Sequence, residues 1–211
     1  MKKLLALLLT AMLIVSMAAC GETAAPPATT TEPTTAPAPV GTLLVTFGAA
    51  MELVYDVDGK VISITGTNEL GKTIAEAKQD QLNKGCVYAL RAILRYAVDN
   101  NLLGDAKNMV VRVGKGDPLP KEDFLTEICT DCQYLADEEC TGIQMIQLSG
   151  DKLNEEGNLT ADTAKALAVR FLGAEAAEVT GTDAPVDDLY TFTWSDKTVT
   201  VHAFTGLVTA K

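Results

Sequence analysis

Histidine occurs once in the 211 residues, as His202, and tryptophan once, as Trp194. A hydrolytic triad needs a histidine beside a nucleophile, with a carboxylate to orient it. Of the serines, Ser63, Ser149 and Ser195 all lie outside a nucleophile-elbow context, and His202 alternates with Val201 and Ala203 on the solvent side of a strand. A phosphate-cradling loop is missing too, because Val113-Gly114-Lys115-Gly116 is not followed by a helix. The carboxylate pairs Glu155-Glu156 and Asp187-Asp188 fall in polar segments with no apolar pocket to drive their pKa values apart. Basic residues are outnumbered 17 to 28, for a net charge of −11, and such a surface repels nucleic acid. These absences argue against an enzyme, a cofactor and a nucleic-acid partner.

The one long apolar run stands at the start, MKKLLALLLTAMLIVSMAAC. Lys2 and Lys3 form a positive leader, and Leu4 to Val15 is apolar except for Thr10. That run falls short of the roughly 20 residues needed to span a bilayer. Ala18 and Ala19 supply the small residues of a cleavage site, so residues 1–19 read as a signal peptide. Cys20 follows directly. The segment resembles a bacterial lipobox, with Met17 where leucine is usual. The resemblance implies that the Cys20 thiol carries diacylglycerol and becomes the first residue of a lipoprotein of Gram-positive type, anchored on the extracytoplasmic face of the cell membrane. An ordinary secretory signal with an incidental cysteine is the alternative. Residues 20–40 then read as lipidated cysteine and linker. GETAAPPATTTEPTTAPAPV holds nothing to bury, and extended at about 3.1 Å per residue it reaches roughly 60 Å.

Residues 41–149 form the first globular region. TLLVTF (42–47), ELVYDV (52–57) and KVISIT (60–65) have the β-branched and aromatic content of strands. Asp58-Gly59 between the last two predicts a two-residue type I′ hairpin, which faces Tyr55 with Ile62 and Leu53 with Ile64. The period then changes: Val87, Leu90, Leu94 and Ala97 mark a helix, ended by Asn100-Asn101 and Gly104. NMVVRV (108–113) is a strand. KEDFLTEICTDCQYLAD is a helix with Leu125, Ile128, Cys132 and Leu135 inward, and TGIQMIQL (141–148) is a last strand. The order β-β-β-α-β-α-β predicts a mixed sheet with helices packed against it.

TFGAAMELVYDVDGKVISITGTNELGK, with the helix and isolated strand after it, resembles the extracytoplasmic middle domain of anti-sigma-I (RsgI-type) factors. The family's hairpin runs into a segment matched here by Val61, Asn68, Gly71 and Lys72. Two departures stand out. The family cleaves itself at an Asn-Pro bond, whereas Gly48-Ala49-Ala50 stands at that place here. The sigma-binding segment and transmembrane helix are also absent, so sigma-factor control does not simply come with the resemblance.

Four cysteines, Cys86, Cys129, Cys132 and Cys140, fall in this region. An even number in an exported domain predicts two structural disulfides of open connectivity. Free core thiols, half a zinc site or a redox pair at Cys129-x-x-Cys132 are the alternatives. Zinc lacks a second such motif, and a redox pair would not sit mid-helix beside Glu127 and Asp131. No metal is expected.

Residues 150–211 read as a second small module, α-β-β-β. GDKLNEEGN is a polar connector. LTADTAKALAVRFLG is a helix with Thr160 as N-cap, Ala164, Leu167, Ala168 and Phe171 on one face, and a stop at Gly173. AEVTG, LYTFTW and KTVTVHAF follow as strands. Thr205-Gly206-Leu207-Val208 resembles the hairpin ending of PepSY domains, with His202 in place of their usual acidic residue. That resemblance implies a peptidase-inhibiting or chaperone-like role as one option. The fold class expected is α+β in two modules. The function expected is a non-catalytic binding or sensing lipoprotein, held to the membrane by the lipid on Cys20, with an extracellular protein, peptide or glycan as partner. An enzyme stands third.

Overall fold

The computed structural model describes residues 37–210; the leader, Cys20 and most of the linker lie outside the described residues. Three antiparallel strands come first: β1 (Gly41–Thr46), β2 (Ala50–Tyr55) and β3 (Val61–Gly66). Their period-two alternation puts Leu43, Val45, Leu53 and Tyr55 in the core, as a half-buried strand pattern dictates.

The β2–β3 hairpin differs from expectation. Among its turn residues only Gly59 has a positive φ, 73°, so the loop is a longer turn closed by a glycine bulge rather than a type I′ pair. Buried Asp56 holds it, its Oδ1 accepting from Asp58 N at 3.0 Å and Lys60 N at 2.8 Å. The longer turn makes Tyr55 face Val61 instead of Ile62, and a register shift between Val54 and Tyr55 returns Leu53 to Ile64 as expected. Val61 is buried in consequence and Ile62 only half so.

A helix that the sequence reading passed over follows, α1 (Glu69–Ala77), capped by Asn68. The order is therefore β-β-β-α-α-β-α-β. Next come α2 (Cys86–Asp99), β4 (Asn108–Val113), α3 (Phe124–Glu138) and β5 (Gln144–Leu148). The sheet order is β3-β2-β1-β4-β5, antiparallel except for the parallel β4–β5 pair. All six residues of β4 are buried, because both faces of the sheet are covered there and its run is nearly continuous apolar. One core lies between the sheet and the helices α2 and α3, with Leu90, Leu94, Met109, Ile128 and Leu135 at 0 % exposure.

The other face of β4 and β5 belongs to a second core, in which Val110, Ile146 and Leu148 join α4 (Ala161–Leu172) and a four-stranded antiparallel sheet. That sheet is β6 (Thr180–Gly181), β7 (Leu189–Trp194), β8 (Lys197–His202) and β9 (Val208–Ala210), in sequence order. Thr160 caps α4, its Oγ1 accepting from Thr163 N at 3.2 Å, and Gly173 ends it in the left-handed region at φ 65°. Leu172 is buried where Phe171 was expected, and Phe171 packs half-buried. The β9 strand adds one more than the α-β-β-β reading. The fold class is α+β, with four α-helices and two sheets among the described residues. The described residues belong to one compact unit.

Candidate functional site

The sheet order leaves β5 with a neighbour on one side only. Helix α3 packs on one face of it and α4 on the other, through Met145 and through Ile146 and Leu148 respectively. Residues of both helices and of β5 line a groove that holds about 880 Å³.

The floor of this groove is backbone. Gln144 N donates to Lys107 O at 3.0 Å, and in a parallel ladder alternate residues bond the neighbouring strand. Gln144, Ile146 and Leu148 therefore turn their amides to β4, while Met145 and Gln147 turn theirs outward. The protein satisfies part of this edge with side chains. Gln133 Nε2 donates to Ile143 O at 3.1 Å and its Oε1 accepts from Met145 N at 2.8 Å. Lys152 Nζ donates to Gln147 O at 3.1 Å. The carbonyl of Met145 and the N–H of Gln147 remain, and no described side chain meets either.

The walls are short-chained where they face the floor, with Thr126 and Thr130 on α3 and Thr163 and Ala166 on α4. Tyr134 stands exposed on the α3 rim. Charge balances: Asp137 and Asp162 are matched by Lys152 and Arg170, a neutral lining in a chain of net charge −11. A second hollow of about 550 Å³ lies beside the β2–β3 loop, with exposed Val57 and Tyr88 at its mouth.

All four cysteines are free thiols, so the expected disulfides are not formed. The fold gives each a different place. Cys86 is buried at the start of α2 toward Asp56, Cys132 is buried in α3 toward Arg91, and Cys140 is exposed beyond α3. Burial pushes Cys86 and Cys132 up to about 12. Cys129 faces the groove, and burial raises it to about 11 against the downward pull of the Lys152 ammonium. Such thiols hold their protons at neutral pH and are poor nucleophiles.

His202 ends β8, where its Nδ1 accepts from Phe204 N at 3.2 Å and Thr205 N at 3.3 Å. It clamps a turn. Ser63 lies in β3, Ser149 just after β5, and Ser195 in the β7–β8 turn, so no nucleophile–base pair is assembled from them. Among the described residues no three His, Cys, Asp or Glu side chains converge as metal ligands, and no helix is long and apolar enough to cross a membrane.

The segment compared with anti-sigma-I factors has a packing explanation. Asn68 Oδ1 accepts from Ala50 N at 3.0 Å and Gly71 N at 2.7 Å, and its Nδ2 donates to Gly48 O at 2.8 Å. One amide thus ties the β1–β2 turn to the first turn of α1. The groove itself escaped the sequence reading, because an edge is created by strand order and not by the strand's own residues; the glutamines of QMIQL were its only local signal. A scan of protein-family models matches none to this chain, and a search of curated proteins finds no relative of it.

Proposed function

We propose that this chain is a non-catalytic binding module, tethered by lipid on Cys20 to the extracytoplasmic face of the cell membrane, with the groove between α3, β5 and α4 as its ligand site. One observation carries the site: the groove keeps an unmet backbone carbonyl and N–H on its floor between two helical walls. The unpaired N–H and C=O groups of a strand edge are a template for another chain, so an unmet pair inside a groove is suited to a ligand. The high thiol pKa values and the structural use of His202 support a binding role over a chemical one. The Pro/Thr-rich linker suits a module held away from its anchor.

The test uses the full chain. Mass spectrometry of the mature N-terminus is expected to find diacylglyceryl-Cys20, and Cys20→Ser is expected to lose the protein from the membrane fraction. A mature terminus elsewhere, without lipid, overturns the tether. For the site, Ala166→Trp fills the groove from an exposed position on α4. Peptide and glycan arrays probed with both proteins are expected to give signals that the variant loses. Signals equal in the two proteins, or no signal at all, overturn the groove as the ligand site.

A further inference from the structure

We propose that the occupant of the groove is a single extended peptide segment, which adds itself to the five-stranded sheet as a sixth strand beside β5. The proposal rests on the groove being the ligand site.

The protein itself supplies the template. The amide of Gln133 gives its N–H to Ile143 O and takes the N–H of Met145 on its oxygen. Those are the two contacts that one residue of a parallel neighbouring strand makes across a ladder. One step along the edge, Met145 O and Gln147 N repeat the same pair of groups with no described side chain upon them. What fits the first position chemically fits the second, and the first is filled by an amide. A peptide unit is therefore the matched occupant.

Competing occupants fare worse. A second copy related by a two-fold axis would lay its β5 alongside antiparallel, and an antiparallel pair uses the N–H and C=O of one residue, whereas the groups left here, Met145 O and Gln147 N, lie on two. A glycan site is built on aromatic platforms, and Tyr134 is the one aromatic lining residue. The neutral lining does not select a polyion. Recognition is left to the backbone, as in other strand-addition sites. Side chains of an added strand alternate, so they would meet Thr130 and Tyr134 on one wall and Ala166 and Arg170 on the other.

The full lipidated chain in detergent micelles serves as bait for a displayed random-peptide library, with Ala166→Trp as the counter-selection. Recovered peptides are synthesised with each amide N-methylated in turn. Loss of one backbone hydrogen bond lowers affinity by about fivefold to tenfold, and the loss is expected at one position, the amide that donates to Met145 O, with little change at the others. Exchange of the Gln147 amide is expected to slow by at least about tenfold in the complex. Gln133→Leu frees Ile143 O and Met145 N, and is expected to add one more sensitive position to the scan. A scan with no sensitive position, or one to which Gln133→Leu adds none two residues away, while Ala166→Trp still abolishes binding, overturns strand addition and leaves the groove as the site. Peptides that bind Ala166→Trp equally well overturn both. Recovery of no peptide overturns strand addition, and the glycan array then decides the groove separately.

Discussion

Asn108, buried at the start of β4, accepts the backbone N–H of Val208 on its Oδ1 at 3.2 Å and donates its Nδ2 to Gly206 O at 3.1 Å. One side chain thus joins the five-stranded sheet to the last hairpin of the chain. Val110, Ile146 and Leu148 do the same with apolar surface, lying in the core of α4 and the second sheet. Leu148 comes so near Gly206 that a Cβ there would lie 2.9 Å from its Cδ1.

Coupled unfolding follows from that seam. Residues 150–211 are few enough that burial alone leaves them marginal, and part of their core is lent by β4 and β5. Trp194 fluorescence and far-UV circular dichroism are expected to lose signal together in urea. Asn108→Ala strands two buried backbone groups and is expected to cost about 1–3 kcal/mol, read as a lower midpoint of that common transition. Two separated transitions would mean that the seam is weak and that the two regions fold apart.

Arg112 predicts the opposite sign for a deletion of polarity. It is 3 % exposed in β4, its Nη1 donating to Phe204 O at 2.5 Å and its guanidinium lying 4.4 Å from the Phe204 ring centre. Its Nε has no partner, no carboxylate among the described residues forms an ion pair with it, and burial lowers its pKa. A buried cation without an anion carries a desolvation cost that a packed apolar chain avoids. Arg112→Met is expected to leave stability unchanged or raise it, whereas Arg112→Ala, which opens a cavity, is expected to lower it. Urea midpoints of the three proteins decide the order.

The thiols predict a pH window. Burial raises Cys86 and Cys132 from 9.0 to about 12, and Cys129 to about 11. In the unfolded chain they ionise first, so the folded state holds more protons between pH 9 and 12. Stability is therefore full below that window and falls as pH rises through it, by up to about 1.4 kcal/mol per pH unit for each buried thiol. Iodoacetamide at pH 8 is expected to modify exposed Cys140 first, half-buried Cys129 more slowly, and Cys86 and Cys132 only on unfolding. Rapid modification of all four in the folded protein would show that the thiols are not held as described.

Much of the scaffold was legible because its periodicities were strong. Val87, Leu90, Leu94 and Ala97 gave the α2 stripe, and the Thr160 cap and Gly173 stop bounded α4 on both sides. The misses have local causes. The Asp58-Gly59 pair is compatible with two hairpin loops, and the buried carboxylate of Asp56 selects the longer one. The α1 helix buries only Gly71, Ile74 and Ala75, too narrow a stripe to stand out against its polar surroundings. The cysteine count suggested crosslinks, but pairing depends on where helices carry the thiols. The groove needed the strand order, which no short window of sequence contains.

Gly71 offers the sharpest conflict between local propensity and tertiary packing. It lies in the first turn of α1, and replacing glycine by alanine inside a helix ordinarily gains about 1 kcal/mol. Here a Cβ would stand 2.0 Å from Ala50 O and 2.9 Å from Ala50 C. Neither atom is the free end of a flexible side chain. Ala50 is held on both sides, by Asn68 Oδ1 on its N–H and by Thr67 N donating to its carbonyl at 2.8 Å. The backbone must give way, and overpacking of this kind costs about 1–3 kcal/mol or more, enough to reverse the helical gain. Gly71→Ala is expected to lower the urea midpoint, while Thr73→Ala, an exposed change on the same helix, is expected to raise it slightly. Asn68→Ala removes the amide that ties Gly48 and Ala50 to the helix, and its effect is expected to add less than fully to that of Gly71→Ala, because both act on one contact. A stabilising Gly71→Ala would mean that the β1–β2 turn can move away from α1, and with it that the Asn68 bridge does not fix the two together.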